Sequence, residues 1–243
     1  MKKMLLLFLS TIAIVLPMWA FAATASAQTG VAVSNGIAWT PNSSLPPGGQ
    51  PDKPLSDYCT MGVVGTDQSG NKIGISAGHC VESVADGAPI YRWTPNNGPR
   101  EQIGTLAYHS GGATSGVDYS VIKFNNDAVL SSNGPGARID GIGPSNPVGI
   151  HCKDGQSTGV TCGQIITAST TPTRFFSYAT AGPGDSGGPA FQSNSIFGSN
   201  TKIVGLTRGI QGSGFEYIRF SAVLADIATN PNPAGDGFVV TNN

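Results

Sequence analysis

An all-β fold is expected from three features of the sequence. Short apolar runs with period-2 alternation recur along the chain, separated by turn residues. Glycine is abundant, at 34 residues, while only 11% of residues are charged against a usual figure of about 25%. One segment alone carries a strong helix signal. Short strands, tight turns and a surface built from Ser, Thr, Asn and Gly suit one large β domain or two small lobes.

The chain opens with Met1-Lys2-Lys3, continues through an apolar stretch and reaches Ala25-Ser26-Ala27 before Gln28. That order reads as a secretory leader over residues 1–27. A membrane anchor is the rival, but Pro17 and the small-residue site favour cleavage. Residues 28–57 are rich in Pro, Gly, Asn and Ser, with Pro46-Pro47-Gly48-Gly49 past the middle, and read as an extended arm or a short pro-segment. A first series of strands is expected at 58–64, 72–77, 89–93, 102–108 and 119–124. The turn-rich stretch 126–146 links two lobes, and a second series follows at 148–152, 160–168, 174–178, 190–191, 202–207 and 215–220. The helix is placed at 221–229, with Ser221 as its cap, Val223, Leu224 and Ile227 on one face, and Pro231 blocking continuation. The main domain therefore covers 58–233, with lobe one at 58–128, a linker at 129–146, lobe two at 147–220, and a C-terminal tail at 234–243.

Removing Lys2 and Lys3 from 13 basic residues leaves 11 against 14 acidic ones, a formal charge of −3. Nothing in that balance favours a nucleic-acid partner or an anionic membrane. After the leader no apolar run long enough to span a bilayer appears, so no membrane partner is expected once it is removed. Cys59, Cys80, Cys152 and Cys162 form an even set, which suggests two disulfides in an oxidising compartment, and three pairings are possible. The local pairing joins neighbours across two hairpins. A zinc site is disfavoured, because no C-x-x-C or H-x-x-x-H spacing accompanies them.

Ser186 lies in Pro183-Gly184-Asp185-Ser186-Gly187-Gly188-Pro189. Glycines around a serine permit a tight turn that exposes the hydroxyl and aims amide N–H groups at one point, where they can stabilise an oxyanion. A Gly-rich surface turn is the bland reading of the G-x-S-x-G pentapeptide Gly184-Asp185-Ser186-Gly187-Gly188, and the seven-residue string is far more specific. A serine hydroxyl needs a base, and the chain has three histidines. His79 stands in Ser76-Ala77-Gly78-His79-Cys80, at the end of a strand; His109 reads as an exposed turn residue and His151 as a strand residue beside Cys152. A carboxylate must then hold the imidazole, and Asp118 in Ser115-Gly116-Val117-Asp118-Tyr119-Ser120 leads an apolar strand where it can be buried. The pentapeptide also fits an α/β-hydrolase esterase, but that arrangement needs a histidine after the nucleophile and none follows Ser186.

The order His79, Asp118, Ser186, with the strings around each, resembles the chymotrypsin-like serine proteases, in particular their bacterial streptogrisin and α-lytic-like branch. The likeness extends to Cys152-Lys153-Asp154-Gly155-Gln156-Ser157-Thr158-Gly159 and Val204-Gly205-Leu206-Thr207. It implies two six-stranded antiparallel β-barrels with the site between them, a short C-terminal helix, and an oxyanion hole from the amides of Gly184 and Ser186. It implies a serine endopeptidase, secreted or held in the periplasm or cell envelope, acting as a monomer on protein or peptide substrates without a cofactor or metal.

Departures from the family pattern qualify that reading. No Ile-Val-Gly-Gly activation sequence is present, so an internal cation should pair with Asp185; Lys153 matches by position, with Arg138 and Arg174 as rivals. The substrate pocket should involve Thr180, Ala181 and Gly182 on one side and Thr207, Arg208 and Gly209 on the other. Where the family carries a serine that supports the catalytic Asp, one register places Arg208 and a one-residue shift places Thr207. An Arg208 facing the pocket would attract an acidic side chain; against Asp118 it would suit the alternative of a catalytically impaired pseudoprotease that acts as a binding module.

Overall fold

The computed structural model describes residues 30–45, 58–111, 116–144, 149–193, 200–212 and 214–243. The expected leader, the Pro46-Pro47-Gly48-Gly49 stretch and the expected strand start at Val148 lie outside the described residues.

Strands dominate from the N-terminal side onward: β1 (Ala32–Ser34), β2 (Ala38–Thr40), β3 (Cys59–Thr60), β4 (Val63–Thr66), β5 (Lys72–Ser76), β6 (Pro89–Thr94), β7 (Gly98–His109), β8 (Ser120–Phe124) and β9 (Val129–Ser131). The second half holds β10 (Gly141–Ile142), β11 (Ile150–Lys153), β12 (Thr161–Gln164), β13 (Arg174–Ser177), β14 (Pro189–Ser193), β15 (Thr201–Gln211) and β16 (Gly214–Arg219). Helix α1 (Phe220–Thr229) and β17 (Val239–Val240) close the chain. Two curled, largely antiparallel sheets result, as expected, but not with six strands each. The first has eight in the order β17-β4-β5-β8-β7-β6-β2-β3. The second has seven, in the order β12-β11-β14-β15-β16-β13 with β10 added in parallel beside β15. Strands β1 and β9 form a separate parallel pair.

Alternation explains how these strands bury both faces. In β8, Val121 packs into the core between the sheets while Ile122 and Phe124 point into the first barrel. In β5, Ile73 and Ile75 join that central core, and Gly74 turns to the other face, where an added Cβ would lie 2.5 Å from the Phe124 ring. The central core draws Val63 and Tyr119 from the first half, Ile203, Leu206 and Ile218 from the second, and Phe220, Val223 and Ile227 from α1. The two halves thus share one continuous apolar core.

Segments from both the early and the late part of the described residues join the first sheet. Trp39 on β2 is fully buried and donates its indole N–H to Ser76 Oγ at 3.0 Å. On the C-terminal side β17 pairs with β4, and Phe238 packs edge-on to Phe220. Helix α1 begins one residue before the expected start: β16 runs straight into it, Phe220 is its buried first residue, and Arg219 occupies the cap position without a side-chain bond. Ser221 is exposed inside the first turn and does not cap it. Asn230, which precedes Pro231, is extended at ψ 139°, as steric conflict with the proline ring demands.

Candidate active site

His79 leaves β5 on a short 3₁₀ turn, His79–Val81, anchored by the Cys59–Cys80 disulfide. The second disulfide joins Cys152 to Cys162 across β11 and β12, so both are the local pairs. Asp118 sits just before β8 with its side chain wholly buried. Its Oδ2 lies 2.6 Å from His79 Nδ1, and its Oδ1 accepts the His79 main-chain N–H at 2.8 Å. Burial pushes the Asp118 carboxyl upward, but the His79 hydrogen bonds and charge, with Arg208 beyond them, hold it below the usual carboxylate range. The carboxylate is therefore charged at neutral pH and fixes Nδ1 as the protonated ring nitrogen.

Ser186 lies in the turn that leads into β14, which Gly184 (φ 97°) and Gly187 (φ 80°) make possible. An added Cβ at Gly187 would fall 2.0 Å from Ser76 Oγ. The turn is tied to the first barrel: Thr60 N–H donates to Ser186 O at 2.8 Å, and Thr60 Oγ1 donates to Gly184 O at 2.7 Å. Asp185 N–H is spent on Gly182 O at 3.0 Å, whereas the N–H groups of Gly184 and Ser186 have no acceptor among the described residues. His79 and Ser186 line one cleft of about 400 Å³ together with Pro41, Asn42, Cys80 and Gly184. No hydrogen bond joins Ser186 Oγ to the His79 ring among the described residues, a looseness common in substrate-free sites.

Behind the turn, Lys153 Nζ lies 2.8 Å from Asp185 Oδ2, and both side chains are completely buried. Asp185 also accepts from the N–H groups of Ser157 (2.8 Å), Thr158 (3.1 Å) and Gly182 (2.9 Å) and from Thr158 Oγ1. Burial raises this carboxyl, and the Lys153 and Thr158 bonds more than reverse it. The two rival cations are engaged elsewhere: Arg138 pairs with Asp140 and Arg174 with Glu216.

The expected pocket residues are placed less uniformly. Thr180 is exposed and Ala181 buried, Thr207 is buried with its hydroxyl unpartnered, and none of the six lines the cleft of His79 and Ser186. Arg208 takes the register that faces Asp118: its Nε is 3.4 Å from Asp118 Oδ2, and its Nη1 is 2.7 Å from Glu216 Oε1. It is thus paired twice over and is not a bare cation awaiting an acidic substrate side chain. Two contributors went unremarked in the sequence. Glu216 is an acid inside the apolar strand Phe215-Glu216-Tyr217, an incongruity that could have exposed it, whereas Thr60 carries no such signal. The other histidines lie apart from the site. His109 ends β7 and accepts from Gly111 N–H at 3.3 Å, and His151 is buried between Phe175 and Tyr217 with Nε2 2.5 Å from Ser177 Oγ. Cys59, His79 and Cys80 cluster at metal-binding distance, but both cysteines are spent on their disulfide.

Comparison of the whole chain with solved structures decides the architecture. Thermobifida fusca Protease A superimposes with a TM-score of 0.59 at 19% identity, covering 88% of this chain and 100% of that one. The fold is that of the bacterial chymotrypsin-like serine proteases. Cellulomonas bogoriensis chymotrypsin gives a TM-score of 0.56 at 22% identity, covering 87% of this chain and all of its own. A glutamic acid-specific serine protease, described as using a histidine triad in substrate binding, gives 0.57 at 17% identity, covering 86% and 100%. No protein-family model matches the chain, and no curated protein matches it by sequence. His79 and Ser186 line one cleft, and the buried Asp118 bonds His79 from behind.

Proposed function

We propose that the protein is a secreted serine endopeptidase in which Ser186 is the nucleophile, His79 the general base and Asp118 the carboxylate that orients it. The observation that carries this reading is the doubly bonded His79–Asp118 pair in the same cleft as Ser186. His79 Nε2, left for the cleft because Nδ1 is committed to Asp118, takes the proton from Ser186 Oγ as the hydroxyl attacks a peptide carbonyl. The amides of Gly184 and Ser186 receive the oxyanion, a contribution worth about 2.7–4 kcal/mol per donor. His79 then protonates the leaving amine, and water repeats the sequence on the acyl-enzyme. Lys153 orders the oxyanion turn by holding Asp185 beneath it. No helix among the described residues is long and apolar enough to cross a membrane, and the two disulfides suit an oxidising compartment.

A serine-directed fluorophosphonate tests the reading. Covalent labelling of the purified protein, abolished in Ser186→Ala and His79→Ala, is the expected result; an unlabelled wild-type protein overturns it and leaves a protease fold without the activity.

A further inference from the structure

Between Gly205 and Gln211, Arg208 is the one residue of β15 that the ladder to β16 skips. Thr207 opposes Tyr217 and Gly209 opposes Glu216, so position 208 is the extra residue of a bulge. A bulge breaks strand alternation and re-aims a side chain. Here it sends the guanidinium back under the site, 12% exposed, between two carboxylates that are 0% and 5% exposed. Glu216 Oε1 takes Arg208 Nη1 at 2.7 Å and Arg174 Nη1 at 3.0 Å. A row of alternating charge results: Asp118 before β8, Arg208 on β15, Glu216 on β16, Arg174 on β13.

We infer that Arg208, clamped by Glu216, is a positioning residue for the proposed reaction, holding Asp118 against His79 and offsetting part of its negative charge. The inference rests on the protease reading and deepens it. A hydroxyl in this place would donate a neutral hydrogen bond. A guanidinium supplies a fixed charge that never deprotonates in the working pH range. The neighbouring hydroxyl does not share the task, since Thr207 Oγ1 is buried without a partner. The geometry also separates this role from obstruction: the His79 Nδ1–Asp118 Oδ2 contact is 2.6 Å with the guanidinium in place.

The charge has a readable consequence. His79 Nδ1 and Arg208 Nε contact the same carboxylate oxygen, so the two cationic groups lie within roughly 6 Å when the ring is protonated. At an effective dielectric near 20 charges at that separation repel appreciably. Among the described residues, Glu82 at the end of the same turn is exposed, and Asp185 behind Ser186 is paired with Lys153. Arg208 therefore disfavours a second positive charge beside Asp118, and Glu216, which Arg174 also contacts, moderates the effect.

The test compares kcat, KM and the acid limb of the pH–rate profile for the full chain and for Arg208→Gln, Arg208→Lys and Glu216→Gln, on a peptide substrate cleaved by wild type. Expected for Arg208→Gln is a loss of about tenfold in kcat with little change in KM, and an acid limb displaced upward by about one pH unit. Arg208→Lys should restore the limb, because it keeps the charge. Glu216→Gln should move it the opposite way, since Arg208 loses its counter-charge; damage to packing would not reverse sign. An unmoved limb in Arg208→Gln, or a gain in kcat that marks Arg208 as a brake, overturns the inference. Should Arg208→Gln fail to fold by near-UV circular dichroism, an unmoved limb in Glu216→Gln overturns it equally. Fluorophosphonate labelling of wild type separates the two levels: a labelled protein with unmoved limbs sinks the Arg208 role alone, and an unlabelled one sinks both.

Discussion

Asp118 binds His79 twice, once through the ring and once through the main chain, and the second bond is possible only because Gly78 precedes the histidine. A Cβ on Gly78 would sit 2.6 Å from Tyr119 O and 3.1 Å from Asp118 Oδ1. The chain at 78–79 lies directly against the backbone that carries the carboxylate. Position, ring orientation and backbone anchor are set by one close approach.

Gly78→Ala should accordingly damage function more than stability. The backbone at 119 cannot retreat, since Tyr119 is fully buried in the core between the sheets. Overpacking of this kind costs about 1–3 kcal/mol. The displaced turn carries His79 off its carboxylate, so fluorophosphonate labelling should slow by about a hundredfold, because misplacement of a catalytic group by about 1 Å has that effect. Labelling at the wild-type rate would show that the turn adapts without moving the ring.

Lys153→Met removes the sole cation found against Asp185 among the described residues. It leaves a carboxylate at 0% exposure held by neutral donors alone, a change that typically costs about 3–5 kcal/mol. Gly182 and Thr158 donate to the same carboxylate, so the turn bearing Gly184 and Ser186 should loosen with it. Urea denaturation should register the stability loss, and labelling of Ser186 should fall even in buffer where the variant remains folded. Unchanged labelling in a folded Lys153→Met would remove Lys153 from the proposed ordering of the Ser186 turn.

Much of this arrangement was legible in the sequence, and the limits have physical causes. Strands β5, β8, β13 and β15 were expected within a few residues because their alternation is strong and their ends carry turn residues. Strand β2 was hidden: it is three residues long, its flanks Gly36, Pro41 and Asn42 read as loop, and Trp39 is held by long-range pairing rather than by local pattern. Strands β10 and β17, two residues each, exist only through their partners β15 and β4. The three residues His79, Asp118 and Ser186 stood out because each sits in a string that dictates its local backbone. The orientation of Arg208 could not be read, since a bulge shifts alternation by one residue without altering composition. Glu216 was overlooked for a related reason: its partners, Arg174 and Arg208, come from other strands.

Thr207 offers a contrast to its neighbour. Its hydroxyl is buried, within 1% of complete exclusion, and has no hydrogen-bond partner. Burying such a group unpaired costs about 1–3 kcal/mol. Thr207→Val keeps the shape and removes the penalty, so thermal or urea unfolding should show a stability gain of about 1 kcal/mol. Labelling of Ser186 should stay within about twofold, because the Thr207 contacts with Gly187 and Gly188 are made by the main chain. A large loss of activity would assign the support of Asp118 to the hydroxyl after all.

Stability should respond to acid in two separate windows. His151 is buried on β11 between the rings of Phe175 and Tyr217, and burial pushes it down to about 4 from an ordinary 6.5. The folded protein therefore binds this proton less readily than the unfolded chain does. The stabilisation is fully present above pH 6.5 and is lost as pH falls toward 4, a change of roughly 3 kcal/mol. Asp118 and Asp185 act lower: each is depressed in the folded state, so their contribution persists until pH falls below the ordinary carboxylate value of about 3.9. His151→Gln can keep a donor toward Ser177 Oγ while removing the titration. Urea denaturation at pH 7 and pH 4.5 should show a clear drop in wild type and a much smaller one in His151→Gln, with the steep loss below pH 3.9 unchanged. An identical drop in both proteins would place the upper window on another group.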